Sequence, residues 1–454
     1  MAQPLESYVA EWERAQRVRQ SDALTPTREE ALHRFLSRGF PTTHEEEWRF
    51  TSVRPITEQR FTLAPAATDT AAGPTEAFTL AIAPAAQLVF INGRHAPALS
   101  RLETLPRGTR VESLASALAT APNGKPPHLT SVAPFDGRPF VALNTAFLED
   151  GATIELPAGT ILKQPIHLLF LSTGGANGRP FMSHPRVLVV LGENSQATIV
   201  ETYAGPSRAP YFTNAVAEVV LGANAVLDHY KLQHEGADAC HIGATHIRAE
   251  RSAVYASHSL SLGGALVRND LVAVLDGEGV ECTLNGLYVA DAQRLVDNHT
   301  TIDHVKPHCG SREIYKGILA ERARGVFNGK IIVRPDAQKT DAKQTNRALL
   351  LSEDAQINTK PQLEIFANDV KCTHGAAIGQ LDEDALFYLR TRGLDLQQAR
   401  GLLIHAFAGE VLDRIRLEPL RKSLEAHLLS TLPPVVRGAT DMPGGAEIPG
   451  RTSQ

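Results

Sequence analysis

Gln196-Ala197-Thr198-Ile199 is the first of four similar stretches that recur through the middle of the chain at intervals close to 28 residues. The other three are Asn224-Ala225-Val226-Leu227, Ser252-Ala253-Val254-Tyr255 and Glu278-Gly279-Val280-Glu281. Each stretch follows a corner of glycine, charged or small residues, and short β-branched runs such as Val187-Leu188-Val189-Val190 lie between corners. A fixed period of roughly 20 to 50 residues made of strands and corners indicates a solenoid, in which each coil buries its apolar face on the next.

This period predicts a mainly β protein with a parallel β-helix at its core. A β-sandwich also contains short strands, but it has no reason to repeat the same corner at one fixed period. Fainter corners extend the predicted solenoid to residues 140–368: Glu149-Asp150-Gly151, Arg334-Pro335-Asp336-Ala337 and Ser352-Glu353-Asp354-Ala355. The open ends of such a solenoid need to be covered, because they present unpaired backbone and apolar surface.

Helical patterns flank the predicted solenoid on both sides. Near the N-terminus, Pro26 fits a first helical turn, and a helix that ends at Gly39 places four apolar residues on one face: Ala31, Leu32, Phe35 and Leu36. After the solenoid, Asp382 is positioned to cap a helix that Gly393 ends. A second helix follows, with a predicted apolar stripe at Ala399, Leu402, Leu403, Ala406, Phe407 and Val411.

The 454 residues exceed one ordinary core, so several regions are expected. We predict an N-terminal helical region at 1–80, a connecting segment at 81–139, the β-helix at 140–368, a C-terminal helical domain at 369–431 and a disordered tail at 432–454. The tail is rich in proline, glycine and small residues, as in Asp441-Met442-Pro443-Gly444-Gly445.

Composition excludes several classes of partner and location. The 45 basic and 50 acidic residues give a formal charge of -5, so no nucleic acid is expected as a partner. The N-terminus lacks a basic and then apolar leader, and no run of about 18 apolar residues follows, which disfavours secretion and membrane spanning. The four cysteines are too few and too scattered for a disulfide framework. We therefore expect a cytoplasmic protein that makes no membrane contact.

A candidate metal site lies in the stretch Lys371-Cys372-Thr373-His374-Gly375. In an extended segment Cys372 and His374 point to the same face, since side chains alternate with period two. Two ligands cannot complete a four-ligand shell, so the site is either incomplete or shared with another chain. Cys309 ranks second, because His304 and His308 lie beside it. Cys282 and a group of histidines at 229, 234, 241, 246 and 258 are expected to be structural.

Enzymatic motifs are missing from the sequence. Gly329-Lys330-Ile331 lacks the upstream glycine and the hydroxyl of a phosphate-binding loop, so the chain is not expected to hydrolyse ATP. His234-Glu235 begins a zinc-protease pattern, but Asp238 stands where its second histidine belongs. Neither a Gly-x-Ser-x-Gly elbow nor a dinucleotide fingerprint occurs. We therefore expect no catalytic residues.

The last part of the chain resembles a known family. The matching residues are Gln-Thr-Asn-Arg at 344–347, Asn-Thr-Lys-Pro-Gln-Leu-Glu-Ile at 358–365, Asp-Val-Lys-Cys-Thr-His-Gly at 369–375 and the run 379–393. Near the front, Glu-Glu-Trp-Arg-Phe-Thr at 46–51 is similar to a second signature of that family. These motifs resemble the SufB/SufD family of the bacterial SUF iron-sulfur cluster assembly system, and within it the SufD subunits.

The resemblance implies both a fold and a function. It implies a right-handed parallel β-helix that acts as a non-catalytic scaffold, pairs with a SufB-like subunit and binds a SufC-like ATPase through its C-terminal helices. A nascent iron-sulfur cluster would form transiently where the two solenoids meet, with His374 as the contribution of this chain and Cys372 as the second candidate. No cofactor is expected to bind tightly to the isolated chain. Cluster type, flavin binding by the complex, the exact interface and a homodimer of the isolated chain stay open.

Two other functions are compatible with a β-helix. Carbohydrate-active β-helix enzymes use carboxylates in a groove on the solenoid, and Asp270, Asp276, Asp297 and Asp303 are candidates. Such enzymes are typically exported, and an aromatic content of 6% leaves few platforms for sugar stacking. A purely structural assembly protein without a metal role is the third reading, in which the Cys372 region serves only for packing.

Overall fold

The middle of the chain winds alternately through two β-sheets, so that each coil gives one strand to each sheet. The computed structural model describes residues 3–19, 21–64, 83–175, 179–206 and 208–431. The tail at 432–454, predicted to be disordered, lies outside the described residues. Within the described ranges, no helix is both long and apolar enough to cross a lipid bilayer.

The first sheet contains eleven strands. In spatial order its path is β21 (Gln356–Ile365), β19 (Arg324–Val333), β17 (Leu295–His304), β15 (Leu266–Leu275), β13 (Cys240–Ala249), β11 (Tyr211–Leu221), β9 (Arg186–Leu191), β6 (Gly151–Leu156) and β5 (Arg110–Ser113). Two short strands lie off this path: β8 (Phe181–Ser183) pairs with β11, and β1 (Thr62–Leu63) pairs with β8.

The second sheet has the same number of strands. Its path is β22 (Lys371–Gly379), β20 (Asp341–Leu350), β18 (Gly310–Leu319), β16 (Glu281–Ala290), β14 (Val254–Ser261), β12 (Val226–His234), β10 (Gln196–Ala204), β7 (Ile166–Leu171), β2 (Ala86–Ile91) and β3 (Arg94–His95), with β4 (Arg101–Leu102) beside β2.

Neighbouring coils pair in parallel and in register. Val226 pairs with Val254, and Val254 pairs in turn with Glu281, so residues of the predicted repeats lie directly above one another. Leucine, isoleucine, valine and alanine side chains from both sheets form one buried cluster between them. The predicted parallel β-helix with helical flanks is therefore confirmed, since the 28-residue period reflects one coil.

One corner of each coil holds a residue with a positive φ angle. The residues that share this position are Asn194, Asn224, Ser252, Gly279, His308 and Lys339, with φ between 57° and 71°. The backbone N–H of Asn224 donates to the carbonyl of Arg251, 2.9 Å away in the next coil, and Ser252 repeats this contact with Glu278. Asparagine, histidine and glycine tolerate this left-handed conformation better than β-branched residues.

Replacing Asn224 by valine is expected to destabilise the solenoid. A β-branched residue at φ 57° strains the backbone, which predicts a loss of about 1–2 kcal/mol in the free energy of unfolding. Urea unfolding monitored by circular dichroism measures this loss. Asn224→Gly is the matched control, because glycine adopts the same φ without strain. An equal loss in both variants would show that the side chain of Asn224, and not its backbone, matters at the corner.

The N-terminal region packs against the outer face of the first sheet. Its helices are α1 (Gln3–Val18), α2 (Thr25–Arg38), α3 (Arg54–Thr57), α4 (Leu114–Thr120) and α5 (Pro139–Ala146). Helix α2 follows the sequence prediction, with proline in its first turn, Gly39 at φ 75° after its end, and Ala31, Leu32 and Phe35 buried.

The Glu-Glu-Trp motif of the N-terminal region attaches to the solenoid through Arg268 of β15. The guanidinium of Arg268 lies 3.8 Å from the centre of the Trp48 ring, and its Nη1 donates to the Glu47 carbonyl at 2.7 Å. Thr51 donates from its hydroxyl to the buried carboxylate of Asp297 at 2.6 Å. These contacts join segments more than 200 residues apart in the sequence.

The solenoid strands extend beyond the predicted range of 140–368. Strand β2 pairs in parallel with β7, and β22 pairs in parallel with β20, so both belong to the second sheet. The Lys-Cys-Thr-His-Gly motif, assigned to a C-terminal helical domain at 369–431, is therefore a β-strand. The short apolar run of this strand, Ala376-Ala377-Ile378, shows no alternation that would mark a strand, and in the part of the chain that the structure describes no further coil covers it.

Three helices follow the last strand: α6 (Glu383–Thr391), α7 (Leu396–Leu412) and α8 (Glu418–Thr431). Asp382 caps α6 as predicted, because its Oδ1 accepts from the backbone N–H groups of Asp384 and Ala385 at 2.9 and 3.1 Å. Gly393 follows with φ 93°.

The predicted apolar stripe of α7 is only partly correct: Ala399 and Val411 are buried, Leu403 and Phe407 are half-buried, and Leu402 and Ala406 are exposed. The residues that it buries are Ala399, Ile404, Ala408, Val411 and Leu412, and four of them pack in one cluster with strand residues of the second sheet. Leu402 is 49% exposed instead. Helix α7 is apolar around most of its circumference, so its periodicity could not select the face that packs on the sheet.

Candidate functional site

The strand β22 is the last strand of the second sheet and lies at an open edge. It pairs with β20 from Lys371, opposite Asp341, to Gly379, opposite Leu349, and its other edge has no strand partner among the described residues. Eight of its nine residues are exposed, and Cys372 is half-buried. An edge strand presents a row of unpaired backbone N–H and C=O groups, which can pair with another chain. We call the coil formed by β21 and β22 the open end of the solenoid.

Cys372 and His374 point to the interior side of this open end. Cys372 lies in register with Ala342, and His374 with Gln344. Both partners are buried at 1% exposure, and side chains of in-register parallel strands stack in the same direction. The alternation expected from the sequence therefore places the thiol and the imidazole on one face, two residues apart, where the interior of the solenoid meets solvent.

The environments of the two side chains differ. Burial raises the pKa of the Cys372 thiol, and the nearby Asp341 carboxylate raises it further, so the thiol is protonated at neutral pH. Iron binding at this sulfur would release a proton. The His374 side chain is exposed, so its imidazole is accessible to a ligand from outside the chain.

The donor set fits iron but is incomplete. Thiolate and imidazole are both ligands of iron in iron-sulfur proteins. In the part of the chain that the structure describes, no three His, Cys, Asp or Glu side chains cluster closely enough to hold a metal ion. Any iron site at the open end therefore needs further ligands, from a second protein or from inorganic sulfide.

Cys309, the second candidate, does not reach this site. It is 1% exposed, its Sγ donates to the Gly277 carbonyl at 3.2 Å, and burial raises its pKa. Its neighbour His308 occupies the positive-φ corner, and His304 is buried with its Nε2 3.0 Å from the Ser311 hydroxyl. Cys240 and Cys282 are buried as well. The histidines beside Cys309 thus serve the corner and the core.

The structure also shows a buried polar network that contains His229 and His241, two of the histidines expected to be structural, together with acidic partners that the sequence pattern missed. His229 Nε2 lies 2.8 Å from Glu201, and His241 Nδ1 lies 2.8 Å from Glu235, with all four side chains at most 4% exposed. Burial lowers the pKa of Lys231, which lies among them, to about 8. The sequence could have indicated this network through polar residues at strand positions that face inward. Polar residues in a strand are normally assigned to the solvent-facing side, so the network was not predicted.

Three of the four carboxylates considered for carbohydrate chemistry take part in ion pairs, and the fourth, Asp276, is exposed. Arg268 binds Asp270 and Asp297, each at 2.8 Å, and Arg334 binds Asp303 at 2.9 Å. Burial alone would raise the pKa of Asp297, but the charges of His299 and Arg268 lower it to about 2. A carboxyl group that stays ionised and fully buried in this way is suited to holding the N-terminal segment rather than to proton transfer.

The fold and the site together define a class of protein: a parallel β-solenoid with helical flanks that presents a thiol and an imidazole at an open strand edge. The SufBD core domain of SUF system iron-sulfur cluster assembly matches residues 171–407, and the SufBD N-terminal region matches residues 4–168. The chain therefore belongs to the SufBD family, as the sequence motifs indicated, and it has a role in the SUF system of iron-sulfur cluster assembly.

Individual relatives identify the branch of the family. An iron-sulfur cluster assembly SufBD family protein of Synechocystis is 40% identical over 394 residues, which cover 85% of this chain and 86% of the relative. The iron-sulfur cluster assembly protein SufD of Escherichia coli is 31% identical over 90% of this chain and 93% of its own length. SufD of Bacillus subtilis is 26% identical over 64% of this chain and 66% of its own length. The chain is accordingly a subunit of the SufD type.

Proposed function

We propose that this chain is a non-catalytic scaffold subunit of the cytoplasm that binds a nascent iron-sulfur cluster together with a SufB-like partner. The observation that carries the proposal is the position of His374 and Cys372 on one face of β22, whose outer edge has no strand partner among the described residues. Two ligands at an open edge are half of a four-ligand shell. A second chain that pairs with this edge would bring its own ligands next to them. The cluster is cargo in this scheme and leaves the complex for a recipient protein.

The open end is suited to pairing with a second solenoid. The unpaired backbone groups of β22 can extend the second sheet across an interface, as in other cases of strand addition. Large apolar side chains lie exposed beside them, with Ile365 at 40%, Phe366 at 60% and Ile378 at 51% exposure. An exposed apolar group at a strand edge favours a protein partner over solvent. A SufB-like subunit is the partner that we propose, and a homodimer of the isolated chain would use the same edge.

The C-terminal helices offer a separate surface for a SufC-like ATPase. Their inner faces pack on the second sheet, where Lys316 of β18 binds Glu410 of α7 at 2.6 Å. On the outer faces of α6 and α7, four large apolar residues remain exposed: Phe387 at 70%, Tyr388 at 56%, Leu396 at 44% and Leu402 at 49%. We call these four residues the outer helical patch. A patch of this kind on helices already anchored to the solenoid supports docking of a further subunit.

Phe387→Asp is expected to prevent binding of the ATPase subunit without unfolding the chain. Phe387 is 70% exposed, so its replacement removes an apolar contact at the interface and little from the core. Loss of an interface anchor predicts a dissociation constant raised by about 30-fold or more. Titration of the purified SufC-like subunit by calorimetry measures this change. Arg390→Ala, an exposed change on the same helix, is the control; equal binding by both variants would move the docking surface elsewhere.

Coexpression with SufB-like and SufC-like partners tests the function as a whole. The proposal expects a stable complex that carries a cluster chromophore after anaerobic purification. Failure to copurify with both partners would remove the scaffold role. Cleavage of a polysaccharide by the isolated chain would instead support the carbohydrate-enzyme alternative.

A further inference from the structure

The interior directly beneath the open end contains a buried amide that is only half satisfied. Gln344 of β20 is 1% exposed, and its Nε2 donates to Oε2 of Glu313 at 2.8 Å. Its Oε1 is buried and has no hydrogen-bond partner among the described residues. A buried acceptor without a donor costs about 1–3 kcal/mol, so its presence in a core position calls for an explanation.

The amide of Gln344 is held in one place. Glu313 accepts a hydrogen bond from Nε2 of Gln344, so Oε1 of the same amide faces away from Glu313. On the facing sheet, a Cβ at Gly329 would lie 1.9 Å from the same Nε2, so the space that the amide occupies exists because residue 329 is glycine. The orientation of Oε1 is therefore fixed by two neighbours and does not depend on solvent.

The next residue in register with Gln344 is His374. Strands of one sheet lie about 4.8 Å apart, and their in-register side chains point the same way, so the imidazole of His374 stacks directly over this amide. Because Nε2 is bound to Glu313 on the side away from His374, the amide oxygen faces the strand that carries His374. A partner chain that covers the open end would hold the His374 ring over the amide of Gln344.

We propose that Gln344 is a positioning residue for His374: its Oε1 accepts a hydrogen bond from one ring N–H and leaves the other ring nitrogen unprotonated toward the cluster. This inference rests on the proposed role of His374 as a cluster ligand. Metal-binding histidines commonly donate their second nitrogen to a fixed oxygen, which selects the tautomer and orients the ring. The same arrangement gives a function to Gln344, the first residue of the Gln-Thr-Asn-Arg motif at 344–347.

The test compares two variants of the assembled complex. Gln344→Met keeps the shape of the side chain but removes the acceptor. It is made together with Glu313→Gln so that no buried acidic group loses its amide donor, and Glu313→Gln alone is the reference. Lys343→Met, an exposed change on the same strand, is the control. The readouts are subunit content, urea midpoint, the rate at which an iron chelator extracts the cluster, and the nitrogen couplings of the reduced cluster in pulsed EPR.

We expect Gln344→Met to retain the subunits and the urea midpoint of the reference, while chelator extraction becomes about 10-fold faster or more. The nitrogen coupling should split into two populations, because neither imidazole tautomer is then selected. A reference-like coupling and extraction rate would overturn the inference. If the methionine variant fails to assemble, Gln344→Asn decides: it keeps the amide but withdraws its oxygen by one methylene, and the same faster extraction is expected, whereas an unchanged rate contradicts the positioning role.

The outcome with His374 separates this inference from the function on which it rests. If His374→Ala keeps a wild-type cluster, the role of His374 and that of Gln344 fail together. If His374→Ala loses the cluster while Gln344→Met has reference couplings, only the positioning role is lost.

Discussion

Replacing His374 by alanine is expected to abolish accumulation of the iron-sulfur cluster while the complex with SufB-like and SufC-like subunits still assembles. The side chain is exposed on an edge strand, so its removal takes little packing from the chain. Loss of one of four ligands leaves a bound cluster open to solvent and exchange. We expect the visible absorption of the anaerobically purified complex to fall at least about 10-fold at equal subunit content.

Thr373→Ala is the matched control for this experiment. Thr373 neighbours His374 on the same strand and is also exposed, but its side chain points to the opposite face. The control should retain the chromophore. A wild-type absorption in His374→Ala would assign the chemistry to the partner and leave this chain as a structural scaffold. Cys372→Ser then becomes the next change, because its sulfur lies on the same face.

The largest expected effect on stability comes from Glu218→Gln. Glu218 and Arg186 form an ion pair at 2.6 Å in which both side chains are 0% exposed. Glu218 also accepts the backbone N–H groups of Thr130, Val132 and Ala133 at 2.8, 2.8 and 3.1 Å. The neutral glutamine side chain leaves the charge of the Arg186 guanidinium uncompensated. Its NH2 group also points toward backbone N–H groups or the guanidinium, which are themselves donors. Breaking a buried pair in this way predicts a loss of about 3–5 kcal/mol in the free energy of unfolding.

The urea midpoint of Glu218→Gln measures this loss, and limited proteolysis locates it. We expect cleavage to appear first near residues 128–133, because Glu218 attaches this segment to the first sheet. Asp303→Asn is the control: it breaks a pair with Arg334, whose side chain is 50% exposed, and should cost less than about 1 kcal/mol. Midpoint shifts of equal size in the two variants would contradict the argument.

The parallel solenoid could be predicted from the sequence because its signal repeats. Each coil places a turn residue at the same corner, and Asn224 and Ser252, which begin two of the repeats, both occupy the positive-φ position. Helix caps are also local signals, which is why the predicted roles of Gly39 and Asp382 agree with the structure. The face shared by Cys372 and His374 followed from the period of two in a strand.

The last strand and the packing face of α7 could not be predicted in the same way. The apolar residues of strand β22 do not alternate with polar ones, and no further coil covers this strand among the described residues, so periodicity had no core face to detect. Helix α7 has apolar residues on several sides, and only the position of the second sheet decides that Ile404 is buried while Leu402 is exposed.

By itself, the sequence determined the repeating corners, the strand period and the alternation that brings Cys372 and His374 to one face, because each of these depends on neighbours within a few residues. Only the tertiary structure decided where the solenoid ends and which polar groups lie inside it. Glu218 can be buried because it accepts hydrogen bonds from Arg186 in the neighbouring coil and from Thr130, which lies more than 80 residues away in the sequence. Gln344 lies beneath His374 because neighbouring coils bring the two residues into register. Burial of a polar group depends on partners distant in sequence, and no local pattern records them.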